Sequence, residues 1–284
     1  MRILITFVII VFCNSVNAKS INVIRDAEIE NLLKDISKEL VKETELENDK
    51  LKFYIDNQKY INAFVTPTKH FFFTTELLLR SKGVDDLAGV ISHEIGHVMG
   101  GHFQKRQIAM EKTSVINILS SILAVGAIAA GASDAGSAIL MGGQQLSGSR
   151  ILAFSRTQES LADQTAIRLM KKNGFSLRGL INVFEEIKKG EKIRKINPYL
   201  ITHPLSSERI KNIKLNLEKQ KLNKYEDLEK RFRLAKAKLN GFFLKSEQIK
   251  LLYSDNNLES LYARALNNYK IGKIDYAINL INKC

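Results

Sequence analysis

The amino-acid sequence predicts an α+β fold, mainly helical, in which a small antiparallel sheet near the N-terminus precedes a long succession of helices. Three observations carry that expectation. Between residues 51 and 74, short runs of β-branched and aromatic residues are divided by turn formers. From residue 76 onward, apolar side chains recur at three- and four-residue intervals. The 284 residues include only 3 Pro and 16 Gly, too few for long flexible linkers.

Residues 1–18, MRILITFVIIVFCNSVNA, stand apart from the fold. Arg2 is a short charged start, residues 3–12 are an apolar run, and Val16-Asn17-Ala18 places small residues before a cleavage point. This is the pattern of a secretory signal peptide cut after Ala18. Ten apolar residues are too few to cross a hydrocarbon core of ~30 Å. Cys13 follows Phe12, too bulky for a lipidation box. Removing 18 of 284 residues leaves 266 and takes away Arg2 but no acid, so the formal charge falls from +13 to +12. Of 2 cysteines, only Cys284 remains, so no disulfide framework supports the mature chain.

Residues 26–42 carry Ile29, Leu32, Leu33, Ile36, Leu40 and Val41 at helical spacing. Residues 51–55, 60–65 and 70–74 read as strands, separated by Asp56-Asn57-Gln58 and Thr66-Pro67-Thr68. A helix starts at Glu76 and breaks at Gly83. The next carries Val84, Leu87, Ile91, Ile95 and Val98 on one face, with Asp85 and Asp86 in its first turn, where the helix dipole favours anions. Residues 115–132 are the most apolar stretch after the leader, and residues 104–150 around them read as a hydrophobic lid or helical hairpin over a cleft. Asn117, Ser120, Ser121, Gly126 and Gly131 weaken a transmembrane reading, and residues 135–141 are too short for a second span. Residues 159–173, 177–188 and 206–222 read as further helices. In the tail, residues 218–284, Tyr262, Ala265, Tyr269, Gly272, Ala277 and Leu280 have the spacing of one tetratricopeptide-like helical pair. Two plain amphipathic helices fit the same pattern.

A composition of 45% hydrophobic and 26% charged residues excludes a disordered chain, a collagen and a polytopic membrane protein. A charge of +13 raises nucleic acid or an anionic membrane as partner. The leader argues against nucleic acid. The tail from Glu218 holds 14 basic and 8 acidic residues, so half the excess lies there, which suits peripheral contact with a membrane or a partner.

The chemistry centres on His93-Glu94-Ile95-Gly96-His97, an HExxH pattern inside an apolar helix. The i, i+4 spacing puts both imidazoles on one face, each able to give a ring nitrogen to one zinc. Glu94 is then placed to take a proton from the attacking water and return it to a leaving amine. Three of the 5 histidines fall between residues 93 and 102. A third protein ligand is needed. The HExxHxxGxxH pattern fails, because Phe103 stands where its histidine belongs. His102 is one residue early and, on a continuous helix, about 140° away from His97, so it is expected to be structural or a partner of a ligand. Glu159 and Asp163, also i and i+4, offer a carboxylate ligand plus an acceptor for a ligating imidazole. Taken alone they also fit a solvated face.

The ordered set Asn62-Ala63-Phe64, His93 to His97, Ser155-Arg156, Glu159 to Asp163, Thr202-His203-Pro204 and Arg209 resembles the zinc metallopeptidase family that includes HtpX and the CaaX-prenyl proteases. Within that family it is most similar to the periplasmic β-barrel assembly-enhancing branch. The resemblance implies a zincin-type peptidase domain over residues 19–217 with one zinc ion held by His93, His97 and Glu159. It implies Glu94 as catalytic acid and base, and places His203, Asp163 and Arg209 at the active site. It also implies that Asn62 and Ala63 lie on a strand pairing with substrate backbone. A simple meander would bury that strand in mid-sheet, so the strand order must differ. His203 would either stabilise an oxyanion or occupy the open metal position at rest.

The ligand set also constrains residues 115–132. A single membrane crossing there would leave His97 and Glu159 on opposite sides. The resulting expectation is a periplasmic zinc endopeptidase acting on unfolded or misassembled envelope polypeptides. The alternative is a chaperone or scaffold, linked to the outer-membrane assembly machinery, with latent peptidase activity. A membrane-embedded prenyl-protease-like role lacks further spans.

Overall fold

Residues 21–191, 197–217 and 220–284 are described by a computed structural model of the chain, and the leader expected over residues 1–18 lies outside them. A short strand, β1 (Val23–Ile24), leads into α1 (Ala27–Val41). Asp26 caps that helix by accepting the backbone N–H groups of Glu28 and Ile29, both at 3.1 Å. Ile29, Leu32, Leu33, Ile36 and Leu40 are buried as one stripe.

The sheet continues with β2 (Lys52–Asp56), β3 (Ala63–Val65) and β4 (His70–Thr74), in the order β1-β2-β4-β3. The expected antiparallel sheet is therefore corrected to a mixed one, because β2 and β4 run parallel. Residues 57–62 do not turn back beside β2. They pass over the end of β4, where the Thr74 backbone N–H and hydroxyl both donate to the Asn62 carbonyl at 3.0 Å and the Thr75 hydroxyl donates to the Gln58 carbonyl at 2.9 Å. This crossing carries β3 to the far edge of the sheet, antiparallel to β4. Phe53, Ile55, Phe71 and Phe73 face the core, while Tyr54, Phe72 and Phe64 stack in a row on the opposite face with ring centroids 5.1 and 4.8 Å apart.

After α2 (Thr75–Arg80), helix α3 (Val84–Met99) runs through the middle of the molecule and is buried from Val84 to His97 except at Asp85. Next come α4 (His102–Ala129) and α5 (Ser133–Lys172), packed as a long antiparallel hairpin. The helix read at residues 159–173 is thus the C-terminal part of a 40-residue helix. Then follow α6 (Arg178–Glu191), α7 (Pro198–Thr202) and α8 (Ser207–Leu215), the last ending well short of the expected residue 222.

The tail holds α9 (Glu226–Phe243), α10 (Ser246–Leu252), α11 (Leu258–Lys270) and α12 (Ile274–Ile281). Leu228, Phe232, Ala235 and Leu239 of α9 join the main core. Lys238 pairs with Asp26 at 2.7 Å and Glu28 at 3.1 Å. Leu261, Ala265 and Leu280 make a separate small cluster between α11 and α12.

Candidate metal centre

Helices α3 and α5 cross at close range because neither carries a side chain at the crossing beyond a methyl group. A Cβ added to Gly96 would lie 2.8 Å from both Cα and O of Ala162. The crossing sets His93 and His97, one turn apart on α3, against Glu159 and Asp163, one turn apart on α5.

His93 Nε2 and His97 Nε2 are 3.1 Å apart, and Glu159 reaches them with Oε2 at 3.3 Å and Oε1 at 3.4 Å. His203, the C-cap of α7, brings Nδ1 to within 3.3 Å of both Glu159 oxygens and 3.4 Å of His93 Nε2. Its ring stacks on buried Tyr199 at 4.7 Å. One atom from each of His93, His97, Glu159 and His203 falls within 4.8 Å of the others, and all four residues are buried.

The surrounding groups orient this cluster. Asp163 Oδ1 approaches His93 Nδ1 at 3.0 Å, a close charge contact rather than a well-aligned hydrogen bond. Arg209 grips Asp163 with two prongs, Nε to Oδ2 at 2.6 Å and Nη2 to Oδ1 at 2.8 Å, and sends Nη1 to Glu159 Oε2 at 3.0 Å. His102 Nδ1 lies 2.9 Å from His97 Nδ1. This is the role of partner to a ligand expected for His102, although a continuous helix would point its ring away. The chain instead breaks at Gly100-Gly101, where Gly101 takes the left-handed φ of 58°, and the restart at His102 swings its ring back. A Cβ on Gly100 would sit 2.2 Å from His102 Nε2, so the glycine pair is the signal that identifies this contact. Gln158 Nε2 holds the His102 carbonyl at 3.0 Å.

Electrostatics prepare the site for positive charge. Burial works against protonating His93, but Asp163 and Glu159 outweigh it and raise its pKa to about 9. Burial and the neighbouring His93 push His97 down to about 2, leaving it neutral. Burial opposes charge on Glu159 and Asp163, yet His203 and the close His93 ring at the first, and the Arg209 hydrogen bonds and the close His93 ring at the second, hold both carboxyls below their ordinary values. Burial raises the Glu94 carboxyl above the usual range. Glu94 takes a hydrogen bond from the Val65 backbone, and among the described residues its buried Oε1 has no hydrogen-bond partner. It lies 3.6 Å from His203 Nε2.

These residues fit a divalent metal. Two imidazoles and a carboxylate converge with a fourth donor beside them. The cation would replace the His93 proton among carboxylates already ionised. The unpartnered Glu94 oxygen points to a polar guest in the site. Asn62 and Ala63 are buried at the start of β3, the strand whose Val65 backbone bonds Glu94, and Asn62 Oδ1 is also unpartnered among the described residues. Thr74 and Thr66 use the backbone bonds of β3 and its flanks that face β4, so by antiparallel alternation the main-chain groups of Ala63 and Val65 face away from the sheet.

An HExxH helix crossing a helix that supplies an acidic donor, beside the edge strand of a sheet, defines a metallopeptidase-type centre. The chain belongs to peptidase family M48, whose match covers residues 27–216. It is 25% identical over 242 residues to the beta-barrel assembly-enhancing protease of Yersinia pestis, covering 81% of this chain and 49% of that protein. It is 31% identical over 130 residues to metalloprotease LoiP of Escherichia coli K12, covering 46% and 48%. It is 30% identical over 153 residues to the mitochondrial metalloendopeptidase OMA1 of Schizosaccharomyces pombe, covering 54% and 42%. The chain thus spans less than half the length of these curated relatives.

Proposed function

We propose that this chain is an exported zinc metalloendopeptidase that hydrolyses peptide bonds in misfolded or misassembled cell-envelope polypeptides. One observation carries the reading: the Glu94 carboxyl hangs from the backbone of the edge strand β3 and presents a free oxygen to the His93, His97, Glu159 and His203 cluster.

His93, His97 and Glu159 would hold one zinc, which when bound supplies Lewis acidity and a lowered pKa for water. The substrate backbone adds to β3 as an extra strand, using the outward N–H and carbonyl of Ala63 and the carbonyl of Val65, whose N–H is taken by Glu94. Because Val65 also holds Glu94, the strand that binds substrate positions the base. Glu94 takes the proton of the attacking water and delivers it to the departing amine, and its raised pKa brings it nearer to neutrality for both tasks. Asp163 and Arg209 hold His93 in place. His203 would offer a fourth donor to the metal at rest and would have to move aside to admit a carbonyl.

The envelope setting rests on the leader pattern and on relatives whose names place them in β-barrel assembly. The second reading, a chaperone or scaffold for outer-membrane protein assembly with latent peptidase activity, draws on the exposed apolar hairpin and on α11 and α12 as one tetratricopeptide-like pair.

Glu94→Gln tests the proposal. It should keep one zinc per chain and the native fold while lowering hydrolysis of an unfolded substrate by about 10²–10⁴-fold. A folded chain without zinc, or zinc that survives both His97→Ala and Glu159→Ala, overturns the site. Full function of Glu94→Gln in cells transfers the claim to the scaffold.

A further inference from the structure

The 37 residues from 113 to 149 contain a single charged side chain, Asp134. They form the outer two arms of the α4–α5 hairpin. Lys105, Arg106, Lys112, Arg150 and Arg156 ring its base, against one acid, Glu111.

The arms meet through small and polar residues. A Cβ on Gly136 would lie 2.7 Å from the Ala124 carbonyl, and one on Gly143 would lie 2.1 Å from Ser120 Oγ. Ser147 Oγ donates to Asn117 Oδ1 at 2.6 Å. The hydroxyls of Thr113, Ser114 and Ser121 return to carbonyls one turn back in their own helix. These hydroxyls are thus satisfied between or within the helices, as in membrane helix pairs. The large apolar side chains point outward instead. Ile122, Leu123, Val125 and Met141 are 62%, 62%, 66% and 71% exposed. A helix at a protein surface normally keeps a polar face toward water; here large apolar side chains crowd the outward face of α4, and α4 meets the length and composition of a membrane span with 11% of its apolar window buried.

We propose that the α4–α5 hairpin inserts into an anionic lipid bilayer, with the basic ring at the headgroups and the metal centre outside. The charge complement selects this occupant: an uncharged apolar shaft above a cationic collar matches acyl chains beneath anionic headgroups. Each arm of about 17 residues reaches about 25 Å, short of a hydrocarbon core of ~30 Å. The hairpin therefore enters and leaves from one side, and His97 and Glu159 stay together. Nine residues of α5 separate Arg150 from Glu159, which sets the centre about 14 Å from the headgroups. That height directs the site to polypeptide lying at the membrane surface, a consequence that rests on the proposed peptidase reading, whereas the insertion does not.

The chain has no tryptophan, so Ile122→Trp supplies a single fluorescent reporter, and Leu251→Trp on α10 supplies its control. Full-length protein is mixed with vesicles of phosphatidylcholine alone or with one quarter phosphatidylglycerol. With the anionic vesicles, the reporter at 122 should shift to the blue and be quenched by brominated acyl chains, while the reporter at 251 stays unchanged. Adding Leu119→Lys and Leu123→Lys should cut vesicle flotation at least about tenfold without loss of bound zinc. Glu94→Gln should leave all these readouts unchanged, which separates insertion from catalysis. Four outcomes overturn the proposal: a water-like reporter at 122 with both vesicles; a blue shift without lipid that grows with protein concentration, which means a second copy; a blue shift independent of lipid and concentration, which means a lid closed on the chain's own body; or undiminished flotation of the lysine variant.

Discussion

Arg209 holds Asp163 with two parallel hydrogen bonds, 2.6 and 2.8 Å long, and Asp163 in turn lies 3.0 Å from His93 Nδ1. Three charged groups from α8, α5 and α3 are thereby fixed in line, all nearly shut off from water. The guanidinium fork fits the carboxylate in both bonds at once, and its remaining nitrogen steadies Glu159.

This line predicts two separable losses. Asp163→Asn removes the group orienting His93 and should weaken zinc binding by about 10–100-fold in a chelator competition. Arg209→Met leaves two buried carboxylates without their cation and should cost about 3–5 kcal/mol in urea unfolding. The double variant should cost less than the sum, since the charges are then removed together. Additive losses would mean that the pair is not coupled.

The α3–α5 crossing predicts opposite signs for two glycine substitutions. Gly96→Ala drives a methyl into the Ala162 backbone at 2.8 Å. It should destabilise by about 1–3 kcal/mol despite alanine's better helix propensity, and it should lower zinc affinity by parting His93 and His97 from Glu159. Gly126→Ala, in the open on α4, should raise stability by about 0.5–1 kcal/mol. Thermal melts with and without zinc read both.

The sequence reveals some of this and conceals the rest for physical reasons. His93, Glu94 and His97 are legible because helix period alone places them together. Glu159 and Asp163 share a face by the same rule, but nothing local says that the face meets α3. That depends on Gly96 and Ala162, residues whose importance lies in having almost no side chain. The edge position of β3 follows from the passage of residues 57–62 over β4, a long-range pairing that strand patterns do not encode, and so the sheet reads as antiparallel when it is mixed. The hairpin is legible as apolar, but its second arm reads as a short run over residues 135–141, whereas Gly136 and Gly143 pack closely on α4 and the helix continues unbroken from Ser133 to Lys172. The role of His102 beside a ligand is legible, but its direction is not, because the helix breaks at Gly100-Gly101 rather than running through it.

His203 predicts a gain of activity on removal. Its Nδ1 sits 3.3–3.4 Å from Glu159 and His93 atoms, inside the donor cluster rather than across an open space from it. A fourth protein donor closes the position that water and substrate need. His203→Ala should therefore raise basal hydrolysis of a short peptide severalfold and weaken zinc retention. A fall in kcat with unchanged KM and zinc content would instead assign His203 to transition-state stabilisation.

The charges of the site predict how acid and metal trade stability. Unfolded imidazoles titrate near 6.5. In the metal-free native chain, Asp163 and Glu159 hold the His93 proton up to about 9. Between these values the native state binds more protons than the unfolded one, so stability falls as pH rises from 6.5 to 9. Native His97 stays neutral down to about 2, whereas the unfolded chain protonates it below 6.5, so His97 costs stability as pH falls below 6.5. The lowered Glu159 and Asp163 pKa values add a further loss once pH drops through the ordinary carboxylate range. For these groups the metal-free melting temperature should peak near pH 6.5. Zinc bound as proposed would take the place of the His93 proton, so binding below pH 9 should release about one proton per ion, and affinity should rise up to about tenfold per pH unit from 6.5 before levelling above 9. Titration calorimetry in two buffers of different protonation enthalpy counts that proton directly. Zinc binding with no proton release at pH 7.5 would show that the carboxylates around His93 do not act as the structure has them.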